Sequence, residues 1–271
     1  EEHQVGQIDL VNNWILIIDH PTLLKAKMET QVMERHLGSV DKVKVAQKRK
    51  GCFQEWLGCE ALTEFDFYKG SEKEKFAHAK EDSSFCCRLC CAPNHSFKMT
   101  VTEEGTKEEI LSVDRPFVCC AVLPCCCFRK MTMSSGGKEI GNVEEKCYCC
   151  VPRFEINDAE GKAIYQMHQP TCVGGMCVNC CAEGNPCFGR GCCKAPFHVF
   201  PADMEDTDNG AEPSGKILKV MKSAAAEIFT DADVFEVDFP KDATTEQKGL
   251  VMGSAIFLNA IFFEANGDEA S

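Results

Sequence analysis

One stretch near the end of the chain, Gly249 to Phe263 (GLVMGSAIFLNAIFF), restricts the available folds more than any other feature. It is apolar nearly all the way round, with Asn259 as its one strongly polar interruption. A helix without a polar face has to be surrounded on every side. Its fifteen residues fall short of the ~20 that cross a bilayer, which favours a protein interior; a tilted helix in a thinned membrane is the alternative.

The preceding chain supplies that interior. From about residue 40, apolar residues alternate with polar ones: Val43 and Val45; Phe65 and Phe67; Phe97, Met99 and Val101; Phe154 and Ile156; Phe235, Val237 and Phe239. Period two means half-buried strands. Turn residues fall between them at Glu104-Gly105, Ser134-Ser135-Gly136-Gly137 and Asn157-Asp158-Ala159-Glu160-Gly161, the rhythm of antiparallel hairpins. Roughly ten to twelve short strands in one run predict a closed barrel or a sandwich.

Residues 1–39 read differently. Asp19-His20-Pro21 is a helix start with Pro in the first turn, and Leu24, Met28, Val32 and Leu37 follow at helical spacing. This amphipathic arm packs on its own domain or docks on a partner or a membrane. Trp14 and the run Ile15 to Ile18 are too short to span a bilayer. The expected organisation is an extension over 1–39, one β domain over 40–265 with a helix at about 245–264, and a tail over 266–271.

Charge narrows the partners. The net charge of -13, from 42 acidic and 29 basic residues, repels a phosphate backbone and argues against nucleic acid. The main basic patch is Lys42, Lys44, Lys48, Arg49 and Lys50. It is either a site for anionic lipid or a solvated strand edge, where lysines discourage further pairing. The 21 cysteines are odd in number and come in adjacent runs such as Cys125-Cys126-Cys127, a pattern that suits metal or acyl chains on the reducing side of a membrane better than long-range disulfides. The chain has no charged-then-apolar signal segment. Two CxxC pairs, Cys87/Cys90 and Cys177/Cys180, are extended by Cys86, Cys91 and Cys181, and Cys147, Cys149 and Cys150 form a further cluster. Four thiolates so paired can close round zinc or hold an iron–sulfur cluster, provided hairpin tips bring the distant pairs together; inert buried thiols are the alternative. The chain shows no nucleophile–base arrangement, zinc-protease motif or phosphate-binding glycine loop, and its seven histidines are dispersed, so covalent catalysis has no support.

The order of several landmarks resembles the phospholipid scramblases: Glu81-Asp82 before Cys86-Cys87-Arg88-Leu89-Cys90-Cys91 and Phe97; Asp114-Arg115-Pro116 before Cys119-Cys120 and Cys125-Cys126-Cys127; Pro152-Arg153-Phe154; Cys177-Val178-Asn179-Cys180-Cys181; Phe229-Thr230-Asp231-Ala232-Asp233 with Phe239-Pro240 and Phe262-Phe263-Glu264. That family is similar in fold to the tubby-like proteins. The resemblance therefore implies a mainly β fold, a closed antiparallel barrel of about twelve strands around the hydrophobic C-terminal helix. It covers residues 40–264 and implies bidirectional movement of phospholipid across a membrane, with calcium held by the segment Asp231 to Asp242 through Asp231, Asp233, Glu236, Asp238 and Asp242. It also implies palmitoylation in the run Cys119, Cys120, Cys125, Cys126 and Cys127. The calcium segment departs from a loop's needs, because Phe235, Val237 and Phe239 occupy positions that should offer oxygen and Glu236 stands where glycine should turn the chain; period two makes it a strand. Two other functions stay open: a non-catalytic module that binds lipid or protein or serves as a subunit of a larger membrane assembly joined through residues 1–39, and a metal or redox role for the cysteines.

Overall fold

The computed structural model describes residues 31–48, 62–70, 75–83, 95–118, 127–179, 194–205, 210–220 and 233–263. Alternating side chains build twelve strands into one closed antiparallel barrel. In chain order these are β1 (Lys42–Gln47), β2 (Glu64–Lys69), β3 (Lys75–Asp82), β4 (Phe97–Glu103), β5 (Glu109–Arg115), β6 (Lys130–Ser135), β7 (Lys138–Lys146), β8 (Arg153–Asp158) and β9 (Ala163–His168), then β12 (Lys194–Pro201), β13 (Gly215–Val220) and β14 (Val234–Asp238). A small hairpin, β10 (Thr171–Cys172) with β11 (Cys177–Val178), stands in the connection between β9 and β12. Each strand pairs with its sequence neighbour except where β9 meets β12 and where β1 meets β14 to close the ring. Val45 lies opposite Phe67 on one side and Phe235 on the other, so three strands put apolar residues on the same face.

That face lines the barrel, and the central helix (Thr245–Phe262) fills it. Fourteen consecutive helix residues, Lys248 to Ile261, are buried, as an all-round apolar sequence requires. Its seven large apolar side chains in that run contribute on the order of 10–20 kcal/mol as an upper estimate. Thr244 and Gln247 form a capping box: the Thr244 hydroxyl accepts from the Gln247 backbone N–H, and the Gln247 side-chain Oε1 accepts from the Thr244 backbone N–H. Gly253 packs beneath the Met133 thioether, whose Sδ an added Cβ would meet at 2.5 Å and have to displace. Gly141 is tighter, since φ is 147° and a Cβ there would meet the Asn157 carbonyl oxygen at 2.1 Å. Among the described residues, no helix is long and apolar enough to cross a membrane.

The end of the N-terminal arm packs on its own domain. Residues 31–37 are helical, and Val32, Met33 and Leu37 join the core. The Lys248 ammonium donates to the Leu37 and Gly38 carbonyls at 3.1 and 2.9 Å, so a buried cation closes the C-terminal end of this short helix. Residues 1–30, including Trp14 and the helix start at Pro21, lie outside the described residues.

The structure corrects one of the two readings of the basic patch, the strand edge, for its residues in β1, Lys42 and Lys44. Strand β1 pairs on both sides, because a closed barrel has no edge to protect.

Candidate functional site

Antiparallel strands send alternate connections to opposite ends of the barrel. At one end, the covered rim, lie the tips 104–106, 136–137 and 159–161, the start of the central helix and the helix over 31–37. At the other lie the end of the central helix and the strand ends joined by residues 48–63, 83–96, 116–129, 147–152, 169–193 and 221–233. All 21 cysteines fall, by sequence position, within those connecting stretches; the six that are described, Cys127, Cys147, Cys149, Cys150, Cys172 and Cys177, stand outside the barrel strands at this end. We call this end the cysteine rim. The large apolar side chains exposed among the described residues also belong to it: Phe117 (50%), Phe128 (40%), Val173 (72%) and Met176 (63%).

Just inside this rim the apolar lining gives way to a polar layer. Glu81 continues the inward parity of Ala77 and Ala79, Arg115 that of Leu111 and Val113, and Lys219 that of Ile217; all three are buried. His95 Nε2 donates to Glu81 at 3.1 Å, the Thr63 N–H donates at 3.1 Å, and the Ser83 hydroxyl donates as well. Burial raises the Glu81 pKa, yet the hydrogen bonds from His95, Ser83 and Thr63 outweigh it and hold the carboxyl at about 2. The last turn of the central helix carries no basic residue, so the wall supplies the cations that its carbonyl end favours. Arg115 Nη1 donates to the Ala260 carbonyl at 3.4 Å. The Lys219 ammonium lies 3.4 Å from the centre of the Phe263 ring and 3.0 Å from Asp233; burial lowers its pKa against the pull of that carboxylate. Thr63, Phe65, Glu81, Phe97, Ile256 and Asn259 line a cavity with room for about one water molecule. The Asn259 Oδ1 is buried there without a protein partner.

The residues singled out from the sequence are distributed as follows. Cys127 is half-buried at the cysteine rim, and Cys177 is exposed on β11 opposite Cys172. Cys119, Cys120, Cys125, Cys126, Cys86, Cys87, Cys90, Cys91, Cys180 and Cys181 lie outside the described residues. The connections bearing the two CxxC pairs leave from the same rim but from opposite sides of it, with β4 to β9 between them one way round. Cys149 and Cys150 are exposed with their sulfurs 3.7 Å apart. Among the described residues, no group of three or more His, Cys, Asp or Glu side chains converges to hold a metal ion.

The calcium segment is a strand, as its alternation predicts. Its acidic groups run along the height of the barrel: Asp233 pairs with Lys219 at the cysteine rim, Asp238 with Lys42 at the covered rim, Glu236 faces outward, and Asp242 lies in the turn before the helix. Asp231 lies outside the described residues, as do Arg49 and Lys50. Lys42 and Lys48 have carboxylate neighbours, Asp238 for the first and Glu64 and Asp66 for the second, while Lys44 stands over the Tyr68 ring.

The fold is a closed twelve-stranded antiparallel barrel wrapped on a C-terminal helix, with the described cysteines at one rim. Residues 20–265 match the family model described as Scramblase, and the chain belongs to that family. It is 25% identical over 235 residues to phospholipid scramblase 1 of Homo sapiens, covering 86% of this chain and 66% of that protein. It is 26% identical over 214 residues to phospholipid scramblase 2 of Bos taurus, covering 79% and 65%. Phospholipid scramblase family member 5 of Homo sapiens is 26% identical over 209 residues, covering 77% and 69%. The chain thus spans about 66% of the length of the first of these relatives. No solved structure matches it.

Proposed function

We propose that the chain acts on phospholipid at a membrane surface and promotes its movement between leaflets, as its relatives' name, phospholipid scramblase, states of them. Such movement breaks no bond; it lowers the cost of carrying a polar headgroup through hydrocarbon. The observation that shapes the reading is the enclosed helix. Its residues Lys248 to Ile261 are buried in the barrel, and the mouth cavity holds about one water. A headgroup therefore travels in the lipid beside the protein and not through the barrel. Palmitoyl chains on Cys119, Cys120, Cys125, Cys126 and Cys127 belong to this reading as a further anchor, two chains holding far better than one. Calcium belongs to it only as a weak ligand of individual carboxylates among Asp231, Asp233, Glu236, Asp238 and Asp242, because Asp233 and Asp238 stand at opposite ends of β14; zinc or an iron–sulfur cluster would be held by the thiols. The side is a reducing one, in keeping with free exposed thiols such as Cys149 and Cys150.

The filled interior equally favours a second reading, a non-catalytic module that binds lipid or protein. Reconstitution separates them: purified protein in liposomes carrying a fluorescent lipid, with an impermeant quencher added outside, with and without calcium. Loss of the inner-leaflet signal above that of protein-free vesicles supports lipid movement. No loss with folded, vesicle-bound protein leaves the binding module.

A further inference from the structure

We infer that the cysteine rim is the membrane-docking face of the barrel: Phe117, Phe128, Val173 and Met176 enter the interface of a bilayer containing anionic phospholipid while the covered rim points to water. The inference rests on the phospholipid reading above and adds the orientation and the contacting residues.

Single exposed apolar residues scattered over a surface need no explanation. These are not scattered. Among the described residues, the four large apolar side chains that stand exposed all belong to connections at one rim. Phe117 and Phe128 sit near the two ends of the β5–β6 connection, and Val173 and Met176 form the tip of the β10–β11 hairpin. These connections follow one arc of the rim, from β5 to β9, with Cys147, Cys149 and Cys150 in the β7–β8 connection between them. The hairpin tip also holds Val173 at φ 54°. A β-branched residue rarely adopts the left-handed region, yet the fold keeps valine there, 72% exposed, with Gly174 and Gly175 beside it also at positive φ. A polar tip would serve a water-facing hairpin with less strain.

The opposite rim carries the reverse character. Its large apolar side chains, Val32, Met33, Leu37 and Phe76, are buried, and its exposed surface sets Glu104, Glu139, Glu160, Asp203, Glu212 and Asp242 against the fewer lysines Lys107, Lys138, Lys162 and Lys241. An anionic lipid surface repels that face. Near the cysteine rim Lys130 stands exposed, while Lys98 is paired with the equally exposed Asp114 at 2.9 Å, so docking by this end places Lys130 at headgroup level and the apolar tips below it.

The test uses the full chain and vesicles of phosphatidylcholine with phosphatidylserine, with the partition coefficient read by flotation. Two paired variants, Phe117→Asp with Phe128→Asp and Val173→Asp with Met176→Asp, alter exposed side chains; a thermal melt shows that each is folded. Each pair is expected to lower partitioning about tenfold or more. The covered-rim control, Lys107→Asp with Lys162→Asp, is expected to change it less than about twofold. A second readout needs no variant: hydroxyl-radical oxidation of the natural chain should be suppressed by vesicles at Met176 and unchanged at Met204, which lies in the β12–β13 connection of the other rim. Vesicle-bound protein whose Met176 oxidises as freely as before, or rim variants that bind as the natural chain does, would overturn the docking face and leave the phospholipid reading standing. A natural chain that does not bind these vesicles would sink both.

Discussion

At each rim the barrel ends its apolar interior with a buried glutamate bonded to a histidine, and the two ends then diverge. At the covered rim His36 Nε2 meets Glu103 at 2.6 Å, with the Thr106 hydroxyl and Arg35 on the same carboxylate. At the cysteine rim His95 Nε2 meets Glu81 at 3.1 Å, with Ser83 and Thr63. Both histidines keep a buried Nδ1 without a protein partner. The covered pair arrives on a helix that completes the core, with His36 stacked on Phe76 and Lys248 tied to the carbonyls at its end. The other pair has a small cavity, the Asn259 Oδ1 and exposed apolar residues for company. A buried Glu–His pair is thus the way this fold ends a core. What lies beyond the pair distinguishes a sealed end from one that leaves apolar side chains exposed.

The sharpest way to break the comparison is to unseat the cover. Leu37 is fully buried, so Leu37→Ala should cost about 2–5 kcal/mol, read as the shift of a urea midpoint at unchanged slope. A loss below about 1 kcal/mol would mean that the 31–37 helix is not part of the sealed core. Acid comes next. Glu81 and Glu103 are each held at about 2 against an ordinary 4.5; for Glu103 the Thr106 and His36 hydrogen bonds lead, opposed by burial. A depressed folded pKa means stability that is present above about pH 4.5 and lost as pH falls towards 2. Glu81→Gln should remove on the order of 3 kcal/mol at pH 7 and flatten unfolding between pH 5 and 2. A wild-type-like acid profile in that variant would show that Glu81 titrates normally.

Smaller effects sharpen the contrast. Asn259→Leu removes an unpaired acceptor beside a cavity and should be neutral or stabilising by up to about 1 kcal/mol, in opposition to Leu37→Ala at the other end. A loss of more than that in a thermal melt would mean Asn259 has an essential polar partner. Lys42→Ala breaks an exposed pair with Asp238 and should change stability by less than about 0.5 kcal/mol; a larger change would make that pair part of barrel closure.

Much of this architecture was legible in the sequence. Period-two runs such as Phe97, Met99 and Val101 became strands, and the segment from Gly249 became the enclosed helix, because strand alternation and all-round apolarity each admit few packings. The calcium segment became strand β14 for the same reason. The polar layer was passed over although a signal existed: Glu81, Arg115, Lys219 and Glu103 each extend the inward parity of their strand by one more step, where a charge is out of place unless it is paired. The sorting of cysteines was hidden for a different reason. Whether a connection reaches one rim or the other depends on counting strands without error, and one misjudged hairpin inverts every assignment after it. The lysine patch was misread as an edge because closure between β1 and β14 joins segments far apart in sequence, with no local trace.

That closure also sets a timetable. Lys42 and Asp238 are separated by 196 positions, and the helix that fills the barrel follows every strand that surrounds it. At about 5–20 residues per second of synthesis, β1 waits on the order of ten to forty seconds for its second neighbour and for the plug. During that interval a nascent chain carries strands with open edges and an unfilled apolar face, the condition in which chains aggregate. A ribosome making this protein therefore displays an incomplete barrel from the first strand until the helix emerges, and a stop codon ahead of Thr245 would release a wall with nothing to close upon.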